Sequence, residues 1–240
     1  MKILTLDLEY DFETSNLDNL KFIPKILDFF DEHKVRATFF VLGELVKENE
    51  DLIKEISKKH EIASHSFSHK RLNKLNIVEL EEEIKKSKEA FKEININVKG
   101  FRAPYFITNK NLWNLLKKYG FEYDSSIANF FPGRYYNFFI KNKPYKINDI
   151  IELPVPNLIS PFPNGLSYYR LLYPFSKMLR KRYMFYFHPC EFLGKMKTDE
   201  INFIVKSLYK RNLKKSWSIF EEIIKKEKWV SCSDFIKKRL

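Results

Sequence analysis

Two histidines at close spacing are the first candidates for chemistry in this chain of 240 residues. His65 and His69 lie four residues apart in the stretch Ser-His-Ser-Phe-Ser-His. Neutral imidazole is a common metal ligand in proteins, and side chains at positions i and i+4 of one helical turn point the same way. The spacing therefore predicts a helical turn that directs both rings at one metal ion.

Other polar side chains follow apolar runs at several places along the chain. An acidic cluster ends the first run, and arginine, tyrosine and histidine side chains come at or just after the ends of later runs. In (β/α) barrels and open α/β sheets the chemistry lies at the carboxyl ends of the strands, so we expect these side chains to share one site. They are Asp7, Glu9, Asp11, Arg102, Tyr105 and His188.

A metal site with two histidines needs a third ligand, which the acidic cluster can supply. Asp7 and Glu9 are two residues apart and project from the same side of an extended strand, and Asp11 has the same parity. Two imidazoles and one carboxylate form the ligand set of hydrolytic zinc sites and of several non-haem iron sites. The residues alone leave the choice of carboxylate open.

The same residues offer acid–base chemistry beside such a metal. A divalent ion makes water easier to deprotonate near neutral pH, and a remaining carboxylate of the acidic cluster is the candidate base. Arg102 is placed to hold that carboxylate ionised through paired hydrogen bonds. His188 is the candidate general acid for a leaving nitrogen, because imidazole titrates close to neutral pH.

The elements that must position these residues alternate between strand-like and helix-like segments. Such alternation predicts βαβ units and a mainly parallel sheet. The predicted strands are 3–8, 35–42, 61–64, 98–101, 121–123, 184–187 and 229–231, and the predicted helices are 20–33, 44–59, 77–93, 109–119, 168–180 and 216–228. Residues 127–166 are aromatic and rich in proline, which predicts an irregular functional loop region.

The order of the motifs resembles that of the NodB-homology polysaccharide deacetylases. The resemblance runs from Thr5 to Glu191 and rests on the acidic cluster, Ser-His-x-x-Ser-His, Arg-x-Pro-Tyr, Asp-Ser-Ser and the late His-Pro. Segments 37–43 and 61–66 are similar to that family's strands. The resemblance implies an α/β fold, a distorted (β/α) barrel of about seven parallel strands, in one catalytic domain over residues 1–240. It also implies hydrolysis of an N-acetyl group from an amino sugar, with release of acetate.

The resemblance further implies a catalytic role for four residues of this sequence. Asp7 matches the catalytic base, and Arg102 matches the arginine that holds the base in place. His188 matches the catalytic histidine. Asp124 is expected to match the acid that orients this histidine.

The metal and substrate contacts implied by the resemblance involve other residues. His65 and His69 match two metal ligands, and the ion is one divalent metal, commonly zinc. The first motif reads Asp-x-Glu, as in one subgroup, so Glu9 is expected to be the third ligand, with Asp11 as its competitor. Tyr105 matches the residue whose backbone N–H stabilises the oxyanion and thereby contacts the substrate.

Charge and composition bear on partners and location. The formal net charge of +12 favours anionic partners, but the lysines are spread over most predicted helices, so no nucleic-acid partner is expected. The basic stretch 177–182 is compatible with peripheral contact with an anionic membrane surface. No apolar signal-peptide core follows Met1 and no apolar run has the length of a membrane span, which predicts a cytoplasmic protein. Cys190 and Cys232 do not make a disulfide framework.

A cytoplasmic location favours a particular kind of carbohydrate substrate. We expect a nucleotide- or lipid-linked sugar intermediate, selected with the help of the aromatic segment 130–145 and the basic residues 180–182. Two other functions are compatible with the same residues. One is a deformylase or an amidase of small cyclic amides on the same scaffold, and the other is a catalytically inactive protein that binds a glycan or an anionic lipid.

Overall fold

Short apolar runs form the strands of a sheet in which parallel pairing dominates. The computed structural model describes residues 1–11, 16–129, 141–160, 162–179, 182–194 and 210–239. The strands are β1 (Lys2–Leu8), β2 (Thr38–Val41), β3 (Glu61–Ser64), β4 (Gly100–Phe101), β5 (Tyr123–Asp124), β6 (Tyr145–Ile147), β7 (Ile150–Glu152), β8 (Asn157–Ile159), β9 (Phe162–Pro163), β10 (Met184–Phe187) and β11 (Trp229–Val230).

The main sheet follows the order β10-β1-β2-β3-β4-β5-β7-β6, and β11 pairs with β1 beside this path. All neighbours from β10 to β7 pair in parallel, which gives seven consecutive parallel strands. Strand β6 returns antiparallel to β7, and β8 and β9 form a separate antiparallel pair. The predicted distorted barrel of about seven parallel strands is therefore confirmed.

Amphipathic helices pack against the sheet. They are α1 (Ile23–Glu32), α2 (Glu50–Ser57), α3 (Ile77–Glu93), α4 (Leu112–Lys118), α5 (Leu166–Leu171), α6 (Ser216–Ile224) and α7 (Cys232–Arg239). The bounds of α3, β3 and β10 are those expected from the sequence, whereas α7 was not predicted. Within the described ranges, no helix is both long enough and apolar enough to cross a membrane.

Alternation along β1 decides which side chains enter the barrel. The leucines of β1 belong to the large buried cluster that includes apolar residues of α1 and α3. Ile3 belongs to a second buried cluster with residues of β2, β5 and β10. Because successive side chains of a strand point to opposite faces, Thr5 and Asp7 share the side of Ile3. A buried polar side chain needs a partner, and both of them meet Arg102 inside the barrel.

The segment expected to be irregular, residues 127–166, contains four strands in its described part, β6 to β9. Asn148 and Asp149 both have positive φ values, 48° and 68°, and form the two-residue turn between β6 and β7. Such turns favour Asn and Asp, so the sequence did contain a signal for this hairpin. The prediction of an irregular loop followed the aromatic and proline-rich composition of the segment instead. Strand β7 then pairs in parallel with β5 and extends the barrel.

Candidate active site and metal centre

The candidate site lies directly after one row of paired residues that crosses five neighbouring strands. The row consists of Leu8, Val41, Ser64, Phe101 and Asp124, side by side from β1 to β5. Glu9, His65 and Arg102 each follow directly after a member of this row. On the other side of β1, Leu6 pairs with Phe187 of β10, and the residues that follow them, Asp7 and His188, lie close together. Parallel pairing thus brings chemically active residues from distant parts of the chain to one edge of the sheet.

Glu9, His65 and His69 form a cluster of metal-ligand side chains. Glu9 Oε2 lies 3.1 Å from His65 Nε2 and 2.6 Å from His69 Nε2. One ligand atom from each residue lies within 4.8 Å of the other two. Burial by itself raises the pKa of Glu9, but the contacts with His69 and His65 outweigh it and hold that pKa well below its ordinary value. An ionised carboxylate and two converging imidazoles fit a divalent ion such as zinc.

The two histidines converge from a loop, which corrects the predicted helical turn. Residues 65–69 are not helical, and Ser66 and His69 have left-handed backbone conformations with φ values of 68° and 60°. His65 Nδ1 lies 2.9 Å from the backbone oxygen of Arg102. That contact fixes the ring and leaves Nε2 facing Glu9, as in metal sites where the second ring nitrogen is held by the protein.

Asp11, the competing candidate for the third ligand, holds the start of a 3₁₀ turn instead. Its carboxylate accepts hydrogen bonds from the backbone N–H groups of Asp18 and Asn19, both at 3.0 Å. It also accepts the side-chain amide of Asn19 at 2.6 Å. Glu9 is the carboxylate that reaches both histidines, so the geometry favours Glu9 over Asp11.

Asp7 and Arg102 form a buried ion pair across the barrel interior. Arg102 Nη1 donates to Asp7 Oδ1 at 2.6 Å, and the two side chains are 1% exposed or less. The guanidinium also donates to Thr5 Oγ1 at 3.0 Å and to the hydroxyl and backbone oxygens of Ser125 at 2.9 and 3.2 Å. Its central carbon lies 4.0 Å from the centroid of the Phe40 ring. These contacts fix the guanidinium and, through it, one oxygen of Asp7.

The second oxygen of Asp7 faces a histidine. Within the described part of the chain, Asp7 Oδ2 is buried and has no hydrogen-bond partner. His188 Nε2 lies 3.6 Å from it and 3.7 Å from Glu9 Oε1. Burial by itself lowers the pKa of His188, but Glu191, Glu9 and Asp7 outweigh it and raise that pKa to about 9. A carboxylate and an imidazolium thus meet beside the ligand cluster, as an acid–base pair requires.

The acid on the Nδ1 side of His188 is Glu191, which was not among the residues predicted from the sequence. Glu191 Oε1 accepts the backbone N–H of His188 at 3.2 Å and lies 3.8 Å from its Nδ1. Glu191 Oε2 accepts hydrogen bonds from Ser167 at 2.7 Å and from Arg170 at 3.4 Å. Burial by itself raises the pKa of Glu191, but His188 and Arg170 outweigh it and lower that pKa. The sequence signal was a Glu three residues after His188, which is the spacing of a capping box.

Asp124, expected to orient His188, is held elsewhere. Its carboxylate accepts the hydroxyl of Ser126 at 2.5 Å and the indole N–H of Trp113 at 3.1 Å. Its register partner on β7 is Glu152, and both side chains are fully buried. Burial raises the pKa of both carboxyl groups, that of Glu152 well above its ordinary value. The structure therefore pairs Asp124 with a second acid rather than with His188, which corrects that prediction.

Tyr105 lies beside the ligand cluster in a left-handed backbone conformation. Its φ and ψ are 58° and 8°, within the 3₁₀ turn Pro104–Phe106. The centroid of its ring lies 4.5 Å from that of His69, and the guanidinium carbon of Arg71 lies 5.0 Å from it. Such conformations in residues other than glycine cluster at functional sites. The role expected for its backbone N–H stays a prediction.

Comparison with known proteins adds the family. Residues 3–123 match the family model described as polysaccharide deacetylase. This segment is half of the chain and carries the ligand cluster, Asp7 and Arg102. The chain belongs to the polysaccharide deacetylase family. The resemblance inferred from the motifs is therefore confirmed.

Two curated relatives of this polysaccharide deacetylase family member share part of its sequence. A peptidoglycan-N-acetylglucosamine deacetylase of Bacillus cereus is 36% identical over 99 residues, which are 40% of this chain and 36% of that protein. A chitooligosaccharide deacetylase of Sinorhizobium fredii is 34% identical over 92 residues, which are 37% of this chain and 43% of that protein. The chain thus matches less than half the length of either relative.

A solved structure supports the fold. A family 4 carbohydrate esterase from Bacillus anthracis has a TM-score of 0.56 at 20% identity and covers 99% of this chain and 82% of its own. Likeness at this level of identity concerns the architecture alone. It agrees with the distorted barrel of parallel strands found here.

Two segments expected to select the substrate lie largely outside the described residues. These are 130–140 of the aromatic segment, and Arg180 and Lys181 of the basic stretch. Two described residues of the basic stretch 177–182 make contacts within the protein. Lys177 forms an ion pair with Glu222 at 2.9 Å, and Arg182 donates to the backbone oxygen of Leu158 at 3.4 Å.

Proposed function

We propose that this chain is a metal-dependent hydrolase that removes the N-acetyl group from an amino sugar of a glycan. The observation that supports this most is the unpartnered, buried Oδ2 of Asp7, which lies 3.6 Å from His188 Nε2. A base and an acid in contact, beside a cluster of three ligand side chains, are the parts that metal-assisted amide hydrolysis requires. When bound to Glu9, His65 and His69, a divalent ion such as zinc supplies a Lewis acid that polarises the amide carbonyl.

The proposed roles of the protein's own residues follow from their contacts. Asp7, held by Arg102, takes a proton from the attacking water as the water oxygen bonds to the acetyl carbon. The backbone N–H of Tyr105 donates to the oxyanion that forms. His188, oriented by Glu191, gives its proton to the amide nitrogen as the C–N bond breaks. Acetate and the free amino sugar are the products.

The proposed substrate class follows from the family and its named relatives. Peptidoglycan N-acetylglucosamine and chitooligosaccharides are named for two of them. For this chain we propose an N-acetylated amino sugar in a polysaccharide or in a lipid- or nucleotide-linked precursor. The cytoplasmic location, the single domain over 1–240, the peripheral membrane contact and the lack of a nucleic-acid partner stay predictions.

The test is acetate release by the purified, zinc-loaded chain. The substrates are peptidoglycan fragments, N-acetylated chitooligosaccharides and a nucleotide-linked N-acetylamino sugar. We expect Asp7→Asn and His188→Ala to lose activity by about 10²–10⁴-fold, because each removes one proton-transfer group. Glu82→Gln, which removes an exposed carboxylate paired with Lys86 on α3, is the matched control and should keep wild-type activity.

Other outcomes would replace the proposal with a rival. Release of formate from N-formylated sugars, without release of acetate, would make the chain a deformylase. Tight glycan binding by the zinc-loaded chain, without release of any acyl group, would make it a binding protein.

A further inference from the structure

An ionisable residue lies on the buried face of α3, outside the acid–base pair and the ligand cluster. The buried residues of this helix are Leu80, Glu83, Ile84, Ser87 and Phe91. Glu83 is only 4% exposed, whereas its neighbour Glu82 has a side chain that is 58% exposed. Burying a carboxylate is costly unless hydrogen bonds and charges compensate it, so the partners of Glu83 indicate its role.

The partners of Glu83 lie in the loop that carries the two histidines. Glu83 Oε2 accepts the hydroxyl of Ser66 at 3.1 Å and the backbone N–H of Ser68 at 3.0 Å. Glu83 Oε1 accepts the hydroxyl of Ser68 at 2.6 Å and lies 3.3 Å from Lys70 Nζ. The carboxylate therefore binds the chain between His65 and His69 and just after it.

The other side of this loop is packed against the turn after β2. The backbone N–H of Gly43 donates to the oxygen of Ser66 at 2.9 Å, and that of Glu44 to the oxygen of Phe67 at 3.1 Å. A Cβ atom at Gly43 would lie 2.8 Å from the Phe67 ring and 3.0 Å from Ser87 Cα. The histidine loop is thus held on one side by the backbone at Gly43, where a side chain would not fit, and on the other side by the carboxylate of Glu83 on α3.

We infer that Glu83 is a positioning residue for the metal centre. Its carboxylate fixes the loop in the conformation in which the Nε2 atoms of His65 and His69 meet Glu9. Two residues of this loop, Ser66 and His69, have left-handed backbones, which persist only where the surroundings hold them. The inference rests on the proposed metal-dependent function, because Glu83 would act by positioning two of the metal ligands.

The test measures zinc affinity directly, by competition with a chromophoric chelator on the metal-free chain. Glu83→Gln keeps the shape but replaces one acceptor oxygen by a donor and removes the charge. We expect it to bind zinc about 10–100-fold more weakly than wild type, as changes to residues that orient metal ligands do. Glu82→Gln on the same helix is the matched control and should bind zinc as wild type does.

A second variant covers the case in which Glu83→Gln fails to fold. Ser68→Ala removes one hydroxyl donor to Glu83 and leaves the backbone N–H contact, so we expect a smaller loss of zinc affinity in the same direction. Thermal unfolding of each metal-free variant shows whether it is folded. Lower thermal stability of Glu83→Gln with unchanged zinc affinity would overturn the inference, since it would show a structural role alone. Failure of the wild-type chain to bind zinc would instead refute the proposed function.

Discussion

The buried pair of Asp7 and Arg102 gives the sharpest quantitative prediction. Replacing Arg102 by Met removes the charge and all donors while keeping an unbranched side chain of moderate length. The change leaves Asp7 with neither of its oxygens hydrogen bonded in a site where it is 1% exposed. Removing one partner of a buried ion pair costs about 3–5 kcal/mol, so we expect this loss in the free energy of unfolding.

Replacing Asp7 by Asn is the complementary change. Arg102 then keeps its hydrogen bonds to Thr5 and Ser125, so the expected loss is smaller, about 2–3 kcal/mol. The double variant Asp7→Asn, Arg102→Met removes both charges and should lose less than the sum of the two single variants. We expect a coupling energy of about 2–3 kcal/mol, since the two groups lie 2.6 Å apart and are shielded from water.

The assay is urea unfolding of the metal-free chain at pH 7 for wild type and the three variants, with the slope compared to verify that the unfolded states are alike. The double variant should be as slow in acetate release as Asp7→Asn, because it recovers stability but still lacks the base. Additive losses, within about 0.5 kcal/mol, would refute the view that the two side chains depend on each other.

Three further predictions concern other parts of the molecule. Glu9→Gln should abolish zinc binding, measured by chelator competition, because Glu9 contacts both histidines, whereas Asp11→Asn should leave zinc binding unchanged. The reverse result would show that Asp11 is the third ligand. Burial lowers the pKa of His60 from 6.5 to about 4, so the folded chain binds fewer protons than the unfolded chain in that range. Wild type should therefore lose about 3 kcal/mol of stability between pH 6.5 and pH 4 that His60→Asn does not lose; equal pH dependence in urea unfolding would contradict this. Gly100→Ala should lower stability by about 1–3 kcal/mol in thermal unfolding, because a Cβ there overlaps the buried Tyr123 ring, and an unchanged melting temperature would disprove that overlap.

Much of the fold could be predicted because its signals are local. The bounds of β3, β10 and α3 follow from runs of apolar residues and from the capping box of Asn76 and Glu79 at the start of α3. Strands β6 and β7 were missed because a hairpin signal two residues long competes with a strongly aromatic surrounding sequence.

Within the candidate site, the sequence could predict residue types and their side of the strand. The two-residue spacing of Asp7 and Glu9 predicted that both side chains project from the same side of the first strand, since side chains alternate along a strand. The spacing of His65 and His69 suggested one shared metal ion but predicted a helical turn where the structure has a loop. The sequence did not indicate that loop, because its left-handed residues are not glycines.

The alternation of strands and helices, the chemical types of the ligand, base and acid candidates, and the family resemblance could thus all be inferred from local sequence. The folded chain was needed to distinguish carboxylates of equal type: Glu9 rather than Asp11 lies at the histidines, and Glu191 rather than Asp124 lies at His188. The contact of Glu83 with the histidine loop was likewise visible only in the folded chain, because the helical pattern of α3 indicates which face is buried but not what that face contacts. The reason is physical: carboxylates are alike in sequence, and only folding gives each its distance to an imidazole or a backbone N–H.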